Sequence, residues 1–199
     1  MTPSKSFLGL LLRPVLIAAV AALLLRSTVQ TYSIPSGSMS PTLEAGDHIV
    51  VTPLGLPFLN RSPQRGDVVV FRSPMVSDEF FVKRVIAIPG DEIEIRDRDV
   101  MVNGRPVSEP WIVPGVSHGT RPAEILPDGF YFVMGDARGN SVDSRTWGLL
   151  AGDRIVGKAR LVFWSSGGEL AEAANAAVIR SRKSGIAEPR WDRMFTIIR

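Results

Sequence analysis

The chain has 199 residues, contains no cysteine and has only two histidines. This length gives room for one medium domain with a short additional segment. The missing cysteines exclude disulfide scaffolds, thiolate nucleophiles and cysteine-ligated metal sites, and two histidines are too few for a histidine-rich metal site. We therefore predict no metal site, and nothing in the composition indicates a cofactor.

The net charge of +3 is unevenly distributed along the chain. Residues 1–26 and residues 171–199 each carry +3, whereas residues 27–170 carry −3. A nucleic-acid-binding protein normally carries its basic patch on the folded domain. The mildly acidic central part therefore argues against a nucleic-acid partner, and the basic ends favour a membrane boundary.

The first predicted element is an apolar segment, residues 7–25, in which Arg13 is the only charged residue. A helix of this length spans about the hydrocarbon thickness of a bilayer, so we predict a membrane anchor within residues 1–29. Lys5 and Arg13, with the terminal amine, outnumber Arg26, which favours a cytoplasmic N-terminus and an exported body. The alternatives are a cleaved signal peptide, because the stretch after Arg13 is short and rich in alanine, and a buried core helix.

Beyond Gln30 the pattern changes to short β-rich runs separated by Gly, Pro, Asn and Asp. Strands are predicted at 48–51, 67–71, 80–88, 92–96, 99–104, 130–134 and 154–164. Asp97-Arg98 predicts a hairpin between two of these strands, and Asn103-Gly104 predicts a further turn. Two stretches that contain prolines, 53–63 and 105–127, are predicted as loops. The pattern indicates a mainly β fold, a coiled antiparallel β-sheet domain over residues 30–165.

The last part of the chain, residues 166–199, differs from this β pattern. Residues 168–178 predict a short helix, and the basic residues that follow predict a docked tail or a contact with the membrane surface.

A segment rich in serine and proline, residues 34–42, lies shortly before the first predicted strand of the body. Its prolines fix φ and its glycine permits close backbone approach, so we expect the segment to be held in one shape. Ser36 and Ser38 are two residues apart, a spacing that places a nucleophile and a second hydroxyl donor near one carbonyl. The alternative is a linker that follows an anchor.

The predicted strand 80–88 contains two adjacent basic residues. Alternation places Lys83 on one apolar face with Phe81, Val85 and Ala87, and Arg84 on the other with Val82, Ile86 and Ile88. A lysine flanked by apolar side chains is desolvated, which lowers its pKa and makes it a usable base, whereas arginine stays charged. Lys83 is therefore the candidate base, and Arg84 is assigned to a salt bridge or to the surface. The alternative is a basic pair that protects a sheet edge from aggregation.

A polar segment, residues 134–145, carries four charged side chains that we expect to form two ion pairs and to brace a loop. These are Asp136, Arg138, Asp143 and Arg145. Ser141 or Ser144 is placed to orient a neighbouring amine. The alternative is a calcium-like loop, against which the two arginines argue.

A histidine-based serine triad is the competing arrangement. His48 lies in an apolar strand and His118 lies in a Pro/Gly loop, and neither has an evident acid partner in the sequence. Lysine is therefore the favoured base for a serine nucleophile.

Three motifs, PSGSMSPTL, FVKRVIAIPGD and GDARGNSVDSR, follow the apolar segment in this order. Together they resemble the type I signal peptidases, membrane-anchored serine peptidases with a serine–lysine dyad. The resemblance covers residues 30–165 and implies a serine–lysine peptidase β domain there. It implies an endopeptidase that removes N-terminal signal peptides from exported preproteins by cleavage after small residues. It also implies two partners, the preproteins and the lipid bilayer. The chain is then expected to cross the inner membrane once and to have its catalytic domain on the periplasmic, extracytoplasmic face.

The resemblance also assigns roles to individual positions. Ser38 matches the nucleophile, Lys83 the general base, and Ser36 the residue whose hydroxyl joins the Ser38 backbone N–H in the oxyanion hole. Ser141 matches the serine that hydrogen-bonds the lysine. The predicted supporting residues are Ser141, Asp136, Arg138, Asp143 and Arg145, of which the last two match the family's ion-pair positions. The residues that match the shallow apolar pockets for small substrate residues at −1 and −3 are Tyr32, Ile34 and Val82.

The third motif departs from the family at one position, because Ala137 replaces the usual asparagine. Two alternative functions stay open. One is a relative with the same dyad and a narrower substrate, such as a pilin-maturing or organelle processing peptidase. The other is an anchored β domain that binds exported proteins without cleaving them.

Overall fold

The computed structural model describes residues 13–14, 16–17, 29–54, 62–112, 116, 118–166 and 188–198. The predicted anchor lies outside the described residues except for Arg13, Pro14, Leu16 and Ile17, and the predicted helix 168–178 lies entirely outside them. Among the described residues, no helix is both long and apolar enough to cross a bilayer.

The described part of the chain forms short strands joined by turns. The strands are β1 (Gln30–Ser33), β2 (Asp47–Pro53), β3 (Val68–Arg72), β4 (Phe80–Ala87), β5 (Glu92–Arg96), β6 (Asp99–Val102), β7 (Arg105–Pro106), β8 (Thr120–Ile125), β9 (Phe130–Met134), β10 (Leu150–Ala151), β11 (Ile155–Ser165) and β12 (Thr196–Ile197). The remaining elements are a four-residue helix, α1 (Ser144–Trp147), and 3-10 turns at Arg138–Asn140, Gly152–Arg154 and Trp191–Arg193. Residues 13–14 and 16–17 are also helical.

The larger sheet is antiparallel and is organised around β11. Its order is β1-β2-β11-β3-β4-β9-β10, and β12 also pairs with β11. β2 runs along one edge of β11, while β3 and β12 share the other edge. Irregular pairing between Ala159 and Leu161 and between Val162 and Trp164 marks bulges, which increase the local twist. The predicted mainly β fold with a curled antiparallel sheet is confirmed.

The smaller sheet has the order β7-β6-β5-β8. β5 and β6 pair from Arg96 opposite Asp99, so the predicted two-residue turn at Asp97-Arg98 is confirmed. The turn at Asn103-Gly104 joins β6 to β7, and both of its residues have positive φ, 53° and 71°, as a type I′ hairpin requires.

The predicted loop 105–127 is wrong where β7 and β8 occur. β8 contains Pro122, which argued for a loop because proline cannot donate to a sheet. However, β8 is an edge strand, and its pairing with β5 is irregular between Ile93 and Ile95, where Pro122 falls. An edge position and a bulge both tolerate the missing N–H. β1, β10 and β12 were also missed, because they have two to four residues and no apolar alternation.

The predicted alternation along β4 holds only as far as Val85. The pairing of β4 with β9 shifts between Val85 and Ala87. As a result Ile86 and Ala87 pack in the same hydrophobic cluster, with the strands of the smaller sheet, and Ile88 packs against the cluster that contains Val85. The bulge resets the period of two, which the sequence pattern did not indicate.

Candidate active site

Ser38 lies in the connection between β1 and β2, and its chain neighbours fix this connection to the core. Met39 is 1% exposed and packs with Ile34 and Leu43 in one hydrophobic cluster. Leu43 N donates to Met39 O at 2.9 Å, which closes a turn. Burying a side chain such as that of Met39 stabilises by about 1.5–3 kcal/mol, so the residue after Ser38 holds the serine in place.

Lys83 lies in β4 opposite Val69 of β3, and its side chain reaches the Ser38 segment. Lys83 Nζ donates a hydrogen bond of 2.7 Å to Ser38 Oγ. Pairing of β4 with β9 begins only at Arg84, opposite Met134, so β9 ends beside the lysine. The sheet thus holds Lys83 by its backbone and leaves its amine facing the serine.

Burial lowers the pKa of Lys83 to about 8. The carboxylates of Asp143 and Asp136 act in the opposite direction, and Arg145 adds to the lowering. Lys83 is 5% exposed and has no ion-pair partner among the described residues, whereas Lys158, equally buried, pairs with Asp67 at 2.7 Å. Lys83 is therefore placed to lose its proton near neutral pH, as a general base must.

The second hydroxyl of the serine segment lies beside the first. Ser36 is exposed, and its Oγ lies 3.4 Å from Ser38 Oγ. This places a hydroxyl donor next to the atom that would attack a carbonyl, and the role of Ser36 in an oxyanion hole stays a prediction.

A buried ion pair anchors the residue next to Lys83. Arg84 Nε and Nη2 donate to the two oxygens of Asp136 at 2.8 and 2.7 Å, and both side chains are fully buried. Thr42 Oγ1 donates to the same carboxylate at 2.6 Å. Arg84 is thus in a salt bridge, which is one of the two environments expected from the sequence. Through Thr42, the ion pair connects β4 to the serine segment.

The segment after β9 is braced differently from the prediction. Asp143 and Arg145 pair with each other at 2.8 Å, and Asp143 also accepts from Gly135 N at 2.9 Å. Asp136 and Arg138 both take ion-pair partners from outside the segment. Asp136 pairs with Arg84, and Arg138 forms a buried ion pair with Glu109. Strand order brings these partners close, and sequence spacing gave no sign of them.

The two serines of this segment have different surroundings. Ser144 Oγ accepts a hydrogen bond from Val133 N at 3.0 Å, which ties α1 to β9. Ser141 Oγ is buried and forms no hydrogen bond of normal geometry with the residues that the structure describes, although it lies close enough to Asp143 to contribute to lowering the pKa of that carboxyl. The bond that the resemblance implies between Ser141 and Lys83 is therefore not formed, and the supporting role of Ser141 stays a prediction. Ala137 contributes its backbone, because its N–H donates to Ser38 O at 3.1 Å.

Both histidines lie in surroundings unlike those of a catalytic triad. His48 contacts the ring of Phe163, and His118 Nε2 lies 3.3 Å from Arg138 Nη1. Burial, together with Arg138, lowers the pKa of His118. In the described ranges, no group of three His, Asp or Glu side chains is placed to hold a metal ion.

A cleft of about 480 Å³ opens beside the serine and the lysine. The three predicted pocket residues, Tyr32, Ile34 and Val82, all line it together with Ser36, Ser38 and Lys83. Residues that line the cleft and were not predicted are Ser33, Pro35, Met39, Glu79, Phe80, Phe81, Asn140 and Val142. Phe80 and Phe81 adjoin Val82 in β4, but nothing in the sequence distinguished them from core aromatics.

Comparison with known proteins identifies relatives over most of the chain. Residues 8–164 match the family described as signal peptidase, peptidase S26. The chain is 41% identical over 157 residues to probable signal peptidase I-1 of Synechocystis, an alignment that covers 75% of this chain and 79% of the relative. It is 36% identical over 157 residues to signal peptidase I of Leptolyngbya laminosa, with 74% and 75% covered. A solved signal peptidase I from Enterococcus faecalis aligns with 49% of this chain and 97% of that chain, at 29% identity and a TM-score of 0.43.

Proposed function

This chain belongs to the signal peptidase family, peptidase S26, and is a serine peptidase that removes signal peptides from preproteins; we propose that Ser38 and Lys83 form its catalytic dyad. The observation that carries the proposal is the 2.7 Å hydrogen bond from Lys83 Nζ to Ser38 Oγ. It joins a candidate nucleophile to a buried amine whose pKa burial lowers to about 8. Both groups line one cleft with a largely apolar wall, which suits an extended peptide with small side chains.

In the first step, neutral Lys83 accepts the hydroxyl proton of Ser38 while Oγ attacks the carbonyl carbon of the scissile bond. The negative charge that develops on the carbonyl oxygen is stabilised by the Ser36 hydroxyl and the Ser38 backbone N–H. The ammonium of Lys83 then gives its proton to the leaving nitrogen. The C–N bond breaks, the mature protein departs, and the signal peptide remains as an ester on Ser38.

In the second step, a water molecule occupies the place left by the amine of the departed mature protein. Lys83 accepts a proton from the water as the water oxygen attacks the ester. When the intermediate collapses, its bond to Ser38 Oγ breaks, the ammonium of Lys83 returns the proton to Oγ, and the signal peptide leaves with a new carboxylate. Asp143 and Asp136, which raise the pKa of Lys83 electrostatically, favour the ammonium that forms in each half-reaction. The side chains of Asp143 and Arg145 form a support for this arrangement by holding Gly135 N.

Substrate selection is proposed to reside in Tyr32, Ile34 and Val82, as shallow pockets for the substrate residues at −1 and −3. Tyr32 packs against Phe80, with 5.3 Å between ring centroids, and Ile34 is buried in the core. Because these walls are fixed by packing, a long substrate side chain would need the core to move, which favours small residues.

The placement at a membrane is also proposed. Residues 1–29 are assigned to a single-pass anchor, residues 30–165 to the peptidase domain on the extracytoplasmic face of the inner membrane, and residues 166–199 to a C-terminal helix and basic tail. The support is the apolar sequence 7–25 and the short interval to Ser38, which keeps the dyad close to the bilayer. Alkaline extraction of membranes and protease accessibility of the body in intact cells test this; release by carbonate would contradict an anchor.

The dyad is tested by incubating the detergent-solubilised full chain with a preprotein and sequencing the new N-terminus of the product. We expect Ser38→Ala and Lys83→Ala each to lower cleavage by at least about 1000-fold, because neither half of a dyad works alone. The matched controls are Ser40→Ala, whose hydroxyl bonds Glu44, and Lys158→Ala, which removes a buried lysine away from the cleft.

Near-normal cleavage by either dyad variant would disprove the assignment. Equal losses in Lys83→Ala and Lys158→Ala, with equal losses of folded protein, would show that the lysine acts only through stability. A preprotein bound by the wild-type chain and left uncut would favour the non-cleaving alternative.

A further inference from the structure

The C-terminal segment 188–198 lies beyond the stretch, residues 8–164, that matches the signal peptidase family. In the structure it returns to the main sheet, where β12 pairs with β11 and Phe195 N donates to Val162 O at 2.7 Å. Arg190 and Arg193 of this segment form ion pairs with Asp47, the first residue of β2. The far end of the chain thus contacts the segment that carries Ser38.

Asp47 is fully buried and accepts hydrogen bonds from both arginines. Arg193 donates from Nη2 to Oδ2 at 2.6 Å and from Nε to Oδ1 at 3.1 Å, and Arg190 donates from Nη2 to Oδ1 at 3.1 Å. Ser165 Oγ and Glu44 N donate to the same carboxylate. Burial acts to raise the pKa of Asp47, but these hydrogen bonds and the charge of Arg193 hold it below its ordinary value.

The same guanidinium groups also bind backbone carbonyls between Ser38 and β2. Arg190 Nη2 donates to Ala45 O at 2.8 Å, and Arg193 Nη2 donates to Thr42 O at 3.2 Å. Thr42 and Ala45 lie between Ser38 and β2. The arginines therefore fix the backbone that leads from the sheet to the serine, and do more than neutralise Asp47.

On its other side the serine segment is held by the residues next to Lys83. Thr42 Oγ1 donates to Asp136, the partner of Arg84, and Ala137 N donates to Ser38 O. Thr42 is thus bound at its hydroxyl by the buried ion pair and at its carbonyl by the C-terminal arginine. The segment is clamped between two elements that are distant in the sequence.

We propose that Arg190 and Arg193 are positioning residues that hold Ser38 at hydrogen-bonding distance from Lys83. The inference rests on the proposed role of Ser38. It predicts that the C-terminal segment contributes to turnover through the geometry of the dyad, since displacements of about 1 Å at a reacting group cost about 100-fold in rate.

The test compares Arg193→Ala and the double variant R190A/R193A with Arg65→Ala, in the full chain in detergent. Arg65 is a suitable control because it also pairs with a nearly buried aspartate, Asp91, away from the cleft. We expect the C-terminal variants to lower kcat about 10- to 100-fold with KM changed less than about threefold. We also expect their acid limb of activity to move to higher pH, because a loosened segment exposes Lys83 to water and its pKa rises.

Hydrogen exchange supplies a readout that does not depend on catalysis. The amides of residues 39–46 should exchange at least about tenfold faster in Arg193→Ala than in Arg65→Ala. If Arg193→Ala does not fold, Arg193→Lys is used in its place. Lysine keeps the positive charge but cannot bind Asp47 and the Thr42 carbonyl at the same time, as the guanidinium does. A kcat and an acid limb equal to those of Arg65→Ala, with unchanged exchange, would overturn the proposal. An active Ser38→Ala variant would instead refute the dyad, and exchange would still report on the clamp.

Discussion

The amine of Lys83 and the hydroxyl of Ser38 are joined by a 2.7 Å hydrogen bond although 45 positions separate them in the chain. The lysine is held by a central region of the main sheet, and the serine by a connection that packs on the core.

Substitution of Lys83 by arginine should abolish cleavage while preserving the positive charge. Arginine remains protonated at every pH at which the protein is folded, so it cannot accept the proton of Ser38. We expect a loss of at least about 1000-fold in kcat/KM, measured on a preprotein. Arg154→Lys, at an exposed arginine, is the control that exchanges lysine and arginine away from the dyad. Cleavage above a tenth of the wild-type rate would show that Lys83 has no base function.

The pH dependence of cleavage should show an acid limb set by Lys83. Because burial lowers the pKa of this amine to about 8, the neutral form predominates above that pH and is lost below it. The value of kcat/KM should therefore fall about tenfold per pH unit below about 8. The measurement is a profile of initial rates from pH 5 to pH 10 at constant ionic strength. A flat profile down to pH 5 would contradict a lysine base.

Gly135 is expected to tolerate no side chain. A Cβ at this position would lie 2.2 Å from Ser141 Oγ and 2.5 Å from Ser38 O, so Gly135→Ala must displace the serine or its support. We expect a loss of activity of at least about 100-fold. Gly139→Ala is the matched control, because among the described residues its Cβ would meet Val116 Cγ1 alone, at an ordinary contact distance of 3.7 Å. Equal activities of the two alanine variants would show that the close approach is not needed.

The ion pair between Arg84 and Asp136 should be essential for stability. Removing the Asp136 carboxylate deprives the buried Arg84 charge of its counter-ion, which costs about 3–5 kcal/mol. Asp136→Asn should lower the free energy of unfolding by this amount in urea titrations. Glu94→Gln removes a partner from an exposed pair with Arg96 and is expected to leave stability unchanged. Similar midpoints for both variants would contradict a structural role for the buried pair.

Enlarging the cleft at Val82 should relax substrate selection. Val82→Ala removes two methyl groups from the wall, so substrates with valine or leucine at −3 should gain about tenfold in kcat/KM relative to alanine. The measurement is a competition between matched peptides that differ only at that residue. Val107→Ala truncates a partly buried valine that follows β7 and packs against the hydrophobic cluster of the smaller sheet, and it should leave the preference unchanged. An unchanged preference in Val82→Ala would exclude this residue from the pocket.

Much of the fold was readable from local patterns. The strand 92–96 and the strand 130–134 were predicted with their observed bounds, and the turn at Asp97-Arg98 was placed correctly. β8 was missed because an edge strand with a bulge accepts a proline that a central strand would reject. The three cleft residues proposed from the resemblance lie together, whereas Phe80 and Val142 gave no signal, since the sequence does not show which apolar side chains face a cleft.

The sequence by itself determined the chemical possibilities. With no cysteine, two histidines and a lysine among apolar residues of a strand, it left lysine as the favoured base for a serine, and its motifs pointed to one family. Only the tertiary structure decided which groups meet. Asp136 pairs with Arg84, Arg138 with Glu109, and Asp47 with Arg193, across 52, 29 and 146 positions. Residue types and their spacing act over a few neighbours, whereas such contacts depend on strand order and on the return of the chain to the sheet.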